Sequence, residues 1–123
     1  MDQNQMVSDG RALVDALNHG GLPITAAVWV HDDDHDAWKL WIAPRQEMDL
    51  KDFYLKVAQT IAGDRQTFSN LDAADTKLMP GDHPAIRGLK DYANVTGKTS
   101  FRLTYNMLNG FYLTDGIVVS LDG

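Results

Sequence analysis

Apolar positions recur along this chain in two rhythms, one near 3.6 residues and one of two, and the switches between them mark the elements. From Val7 to Asn18 a broad helical stripe runs through Val7, Leu13, Val14, Ala16 and Leu17, with Ser8 or Asp9 as the predicted start and His19-Gly20-Gly21 as the stop. After Pro23 the rhythm becomes that of a strand, in which Ile24, Ala26, Val28 and Val30 alternate with Thr25, Ala27, Trp29 and His31. A second strand is predicted over Trp38 to Ala43, with Trp38, Leu40 and Ile42 on one face, Lys39 and Trp41 on the other, and Pro44 as its end. Asp49 then offers a side-chain cap to a helix whose apolar positions are Leu50, Phe53, Tyr54, Val57 and Ile61, closed at Gly63. The polar stretch from Asp64 to Gly81 carries Phe68, Leu71, Leu78 and Met79 as apolar anchors and reads as a connection laid over the core, with a short strand at Thr76 to Met79. Asp82-His83-Pro84 opens a short third helix, since proline is tolerated in a first helical turn, and Ile86, Leu89 and Ala93 face inward before Gly97. The last element is a β-hairpin, Ser100 to Leu108 and Phe111 to Leu121, turned at Asn109-Gly110, a dipeptide suited to the positive φ angles of a type I′ turn.

This order, α-β-β-α-(β)-α-β-β, predicts a single α+β domain over residues 1–123, an antiparallel or mixed sheet of four to five strands with about three helices mainly on one face. Its two helix-plus-hairpin units do not match residue for residue, so no duplication is read from them. A length of 123 residues is enough for one core, and the 44% hydrophobic and 23% charged shares are those of an ordinary globular chain.

Strand pairing has a consequence for the tryptophans. If Val30 pairs with Trp38, Val28 meets Leu40 and Ala26 meets Ile42, which gives one apolar face for the helices to cover. That register leaves Trp29 and Trp41 together on the opposite face among Thr25, Ala27, His31 and Lys39, and tryptophan is enriched where one protein buries another's surface. Trp29, Trp41, Lys39 and His31 are therefore the candidate interaction surface, to be covered either by a partner or second copy, or internally by the 64–81 connection or a helix. The final hairpin poses the same question. Phe101, Leu103 and Tyr105 fall on one face while Phe111, Leu113, Ile117 and Val119 fall on the other, so both faces are buried or a bulge shifts the register.

Charge and composition narrow the functions. Seventeen acidic residues against eleven basic ones give a formal net charge of -6, which repels a polyanion, and the Lys and Arg residues are scattered, with Arg87 and Lys90 the closest approach to a patch. Nucleic-acid binding is not expected. The absence of cysteine removes disulfides, thiolate metal sites and cysteine nucleophiles and suits a reducing compartment, so a cytoplasmic protein is expected, without a membrane span.

His31-Asp32-Asp33-Asp34-His35-Asp36 is the one dense cluster of potential metal ligands, with His31, Asp33 and His35 as weak candidates. Its position between two strands makes a solvated hairpin loop the plainer reading, and it lacks the glycine and final glutamate of a calcium loop. No cofactor is expected. His19 and His83 stand at helix boundaries, where imidazole commonly serves a structural role. Gly97-Lys98-Thr99-Ser100 is not a phosphate-binding loop, because Tyr92 occupies the place of the required upstream glycine.

The run Gly21-Leu22-Pro23-Ile24-Thr25-Ala26-Ala27-Val28-Trp29-Val30, followed by Trp38-Lys39-Leu40-Trp41-Ile42-Ala43, resembles a group of small uncharacterised bacterial proteins. In them an aliphatic helix leads into strands reading roughly "aAfWly" and "eWrLvias", then an amphipathic helix and a C-terminal hairpin. The resemblance is clearest from about Gly10 to Ala62 and implies a fold rather than an activity. Three functions stay open on the sequence. The first is a noncatalytic protein-binding or regulatory accessory module, working with a protein partner or as a homodimer. The second is a small-molecule-binding protein with a pocket between the sheet and the 64–81 connection, lined by Trp38, Phe53, Tyr54 and Phe68. The third is a metal-binding protein or metal-dependent hydrolase using the 31–36 loop.

Overall fold

A computed structural model describes residues 2–97 and 101–121, the side chains of 105, 106 and 114 excepted. The elements follow the expected order: α1 (Gln3–His19), β1 (Ile24–Asp32), β2 (Ala37–Pro44), α2 (Leu50–Gly63), a 3-10 turn at Ala73–Asp75, β3 (Thr76–Leu78), α3 (Pro84–Thr96), β4 (Phe101–Leu108) and β5 (Phe111–Leu121). The strands form a five-stranded mixed sheet in the order β3-β2-β1-β5-β4, antiparallel except where β3 runs parallel to β2. This is the expected α+β architecture.

Helix α1 begins a turn earlier than the stripe of apolar residues predicts. The Asp2 carboxylate accepts from the Gln5 amide at 2.8 Å, and Met6 is buried, so the extra turn is both capped and packed. Helix α2 starts at Leu50 as expected, but Asp49 makes no side-chain cap hydrogen bond. Phe53, Val57 and Ile61 form its buried stripe. Helix α3 enters through His83 and Pro84 and stops at Gly97, whose φ of 75° is the left-handed conformation that glycine adopts without strain.

Helices α1 and α2 cover one face of the sheet, packing on Ala27, Trp29, Leu40, Ile42, Ile117 and Val119. Helix α3 lies on the other face, where Ala85, Ile86 and Leu89 meet Ala26, Val28, Val30, Trp41, Leu103 and Val118. The sheet is therefore the middle layer between two cores.

The C-terminal hairpin resolves its own conflict by burying both faces. Ile117 and Val119 join the α1/α2 core, while Leu103, Leu113 and Val118 join the α3 core with Leu108 and Phe111 against them. Pairing of β1 with β5 shifts between Ala27 and Val28, which leaves Val119 as an extra, bulged residue on β5. Asn109 and Gly110 turn the hairpin at φ 50° and 84°. Tyr105 and Ser100, expected on this hairpin, fall outside what is described of side chain and residue respectively, as do Lys98 and Thr99.

Candidate functional site

The register of β1 on β2 differs by one residue from the expected one. Val30 pairs with Lys39, Trp29 with Leu40, Val28 with Trp41 and Ala27 with Ile42. A one-residue slip exchanges faces, so the proposed pair of tryptophans is separated. Trp29 is 1% exposed and belongs to the α1/α2 core, its indole N–H donating to the Met6 carbonyl at 2.8 Å. Trp41 belongs to the α3 core and is 7% exposed, with the rings of His83 and Phe111 each 5.6 Å away edge-on. The cover over Trp41 is internal, supplied by α3 and the tip of the last hairpin.

The other two members of that surface also separate. Lys39 donates to the Ala74 carbonyl and so ties β2 to the 3-10 turn. His31 packs against Trp38 at 5.1 Å and lies between two carboxylates, Asp33 Oδ1 at 2.7 Å and Asp36 Oδ1 at 3.1 Å. The Asp33 hydrogen bond pushes the His31 pKa above its ordinary value; desolvation opposes this and Asp36 adds to it. His35 pairs separately with Asp32 at 2.7 Å, and that hydrogen bond holds the Asp32 carboxyl below its usual value against partial desolvation. The loop thus holds three histidine-carboxylate contacts, two made by His31 and one by His35. Among the described residues no group of three or more histidine and acidic side chains is arranged to hold a metal ion.

Trp38, Phe53, Tyr54 and Phe68, the lining expected for a pocket, belong to the α1/α2 core. Phe53 and Phe68 are buried, Trp38 and Tyr54 pack on the same core, and the Tyr54 hydroxyl donates to the Thr76 carbonyl at 3.0 Å. The histidines at helix ends have local roles: His19 bonds to the Asp15 carbonyl, and His83 Nδ1 accepts from the Ala85 amide at 3.1 Å as the N-cap of α3. Burial lowers the His83 pKa, the Lys77 charge lowers it further, and Asp82 opposes them.

A groove lies instead at the end of the sheet where the 64–81 connection enters α3. Its volume is about 810 Å³, and its walls come from Thr25, the Pro44–Met48 segment, residues 78–82, and Arg87 and Lys90 of α3. Such a volume is within the range of small-molecule sites. Local backbone chemistry builds it. The pairing of β1 with β2 shifts between Ile24 and Ala26, so Ile24 joins the α1/α2 core while Thr25 turns toward α3. There its hydroxyl receives the Lys90 ammonium at 2.7 Å. Arg87 and Lys90 are three apart on α3 and so share a face, and Arg45 follows β2, its amide fixed on the Pro23 carbonyl at 3.0 Å. Burial lowers the Lys90 pKa, and the charge on Arg45 adds to that effect.

Sequence reasoning noted Arg87 and Lys90 but joined them to nothing. Arg45 carries no signal of its own, and the alternation of residues places Thr25 on the face of the tryptophans, because Thr25 reaches the groove only through a bulge that has no signature in that alternation. A smaller hollow of about 400 Å³ lies between the 31–34 segment, Lys39, Lys77 and the hairpin tip. Among the described residues no helix is long and apolar enough to cross a membrane. Comparison with protein-family models, with curated proteins and with solved structures finds no match.

Proposed function

We propose that this protein is a noncatalytic binding module that takes a small molecule in the groove between the sheet end and α3. The observation that carries the reading is the groove itself: about 810 Å³ in which Met48, Leu78 and Met79 supply apolar wall while Thr25, Arg45, Arg87 and Lys90 supply hydrogen bonds and charge. Gln46, Glu47 and Asp82 line it as well, so polar and apolar groups meet in one cleft, as they do in ligand sites. The groove lies between the sheet and the end of the 64–81 connection, though with other lining residues than the sequence suggests.

Thermal denaturation against a metabolite panel tests this, because a ligand of the folded state raises the midpoint by mass action. A Cβ at Gly81 would lie 3.6 Å from Thr25 Cγ2 and 3.8 Å from the Pro44 carbonyl, so a Gly81→Phe substitution directs a ring into the groove without a backbone clash. Stabilising ligands are expected to lose their effect in that variant. A panel without a stabilising member, or stabilisation unchanged in Gly81→Phe, contradicts the reading.

A second reading, self-association or a protein partner at the hairpin tip, is supported by Met107 and Tyr112, cross-strand neighbours that are 63% and 52% exposed. Sedimentation of the native chain and of a Met107→Ser/Tyr112→Ser variant distinguishes it; equal masses at the monomer value exclude the homodimer.

A further inference from the structure

We infer that the groove is a receptor for a small organic oxyanion, whose charged group sits among Lys90, Arg45 and Arg87 and whose uncharged body lies along Met48, Leu78 and Met79. The inference rests on the reading of the groove as a ligand site and names the ligand class. Its first support is the charge distribution. A chain with formal net charge -6 places three of its eleven Lys and Arg residues around one cavity. Glu47 and Asp82 also line the groove, both exposed, and leave one positive charge in excess.

The second support is how the cations are held. The Lys90 ammonium has three donors and spends one on the Thr25 hydroxyl, a neutral acceptor 2.7 Å away, with no carboxylate paired to it among the described residues. Arg87 likewise makes no side-chain hydrogen bond or ion pair among the described residues. The charge that bears on Lys90 is another cation, Arg45, and half-burial of the ammonium makes that repulsion costly. An oxyanion entering between them removes the repulsion and supplies acceptors for the remaining donors, and its bonds are charge-assisted. The third support is size. The cavity exceeds what an inorganic ion fills, and beside the charged residues its lining offers the thioether and aliphatic carbon of Met48, Leu78 and Met79, which favours a ligand with an uncharged body.

Amide shifts of the full chain in two-dimensional NMR provide the test, with phenyl phosphate and phenylacetate as oxyanion probes and benzyl alcohol as the uncharged one. Saturable shifts at Thr25, Gly81 and Lys90 are expected with at least one oxyanion probe, with an affinity about ten-fold or more above that for benzyl alcohol, and about ten-fold weaker in Arg87→Gln and Lys90→Gln. Arg87 is exposed, so its variant keeps the fold even if the Lys90 variant does not. Benzyl alcohol binding the groove as tightly as the oxyanions would overturn the inference and leave the ligand site standing. Oxyanion affinity undiminished in Arg87→Gln and in folded Lys90→Gln would also overturn it. No shift at these amides with any probe would remove both the inference and the reading beneath it.

Discussion

Trp29 occupies the space beneath α1 and ties the first helix to the central strand through its bond to Met6. Replacing it with alanine opens a cavity at the centre of the larger core and is expected to cost about 3–5 kcal/mol in urea unfolding, whereas phenylalanine, which loses the N–H and some volume, costs about 1–3 kcal/mol. Trp41→Ser acts on the other core, where it removes the packing against His83 and Phe111, and is also expected to lower the unfolding midpoint. Two histidines give opposite pH signatures. The His31 pKa is raised by its carboxylate partners, so the stability it contributes is complete below the unfolded value of 6.5 and is lost as pH rises through the higher folded value. The His83 pKa is lowered by burial, so its contribution is present above 6.5 and lost as pH falls through the lower folded value. Protonation there also places a hydrogen where the ring accepts the Ala85 amide. His31→Asn is expected to remove the alkaline loss, and His83→Asn, which retains an N-cap acceptor, the acid loss. Unfolding midpoints from pH 5 to 8 on the three proteins check both signs.

At the scale of elements, close approach sets what each crossing tolerates. A Cβ at Gly10 would meet Val119 at 3.0 Å and Trp29 Nε1 at 3.2 Å, so a side chain there would force these neighbours to shift where α1 crosses β1 and β5. Gly10→Ala is expected to destabilise by about 1–3 kcal/mol despite alanine's better helix propensity, measured by urea unfolding. Gly10 reads in the sequence only as a weak helical residue. The same contrast explains what the sequence made legible. Periodicity is local, so it disclosed the helices, the strands and the Asn109-Gly110 turn. Register is not local, and β1 is apolar on both sides, with Ala27 and Trp29 on one and Ala26, Val28 and Val30 on the other, so the pattern favours neither pairing. The loop decides it: Asp32 pairs with Ala37, Asp34 N–H bonds to the Asp32 carboxylate at 3.0 Å, and Asp36 takes a φ of 47°. The tryptophan surface failed with the register. The groove was illegible for a related reason, since it joins Thr25, Arg45 and α3 through a bulge and a crossover that no single segment encodes.

Across the whole molecule the two cores share one sheet but are not equal. Strand β1 is central, buried from Ile24 to Val30, and contributes to both layers. Helix α1 buries six residues, whereas α3 buries only Ala85, Ile86 and Leu89. The α3 layer is therefore expected to open before the sheet does, and native-state hydrogen exchange should find the Leu89 amide exchanging through a smaller opening free energy than Val28, whose exchange reports global unfolding. The same layer carries Arg87 and Lys90, so opening it dismantles the groove. A ligand held there binds the closed form alone and raises the opening free energy of α3 by about 2.7 kcal/mol at a hundred times its dissociation constant. A bound oxyanion probe should thus slow exchange at Leu89 and at Val28 by the same factor, because the α3 opening and global unfolding both release it, and the gap between the two residues should persist. Equal protection of Leu89 and Val28 in the free protein would mean that α3 opens only with the sheet, and that the groove is as rigid as the core behind it.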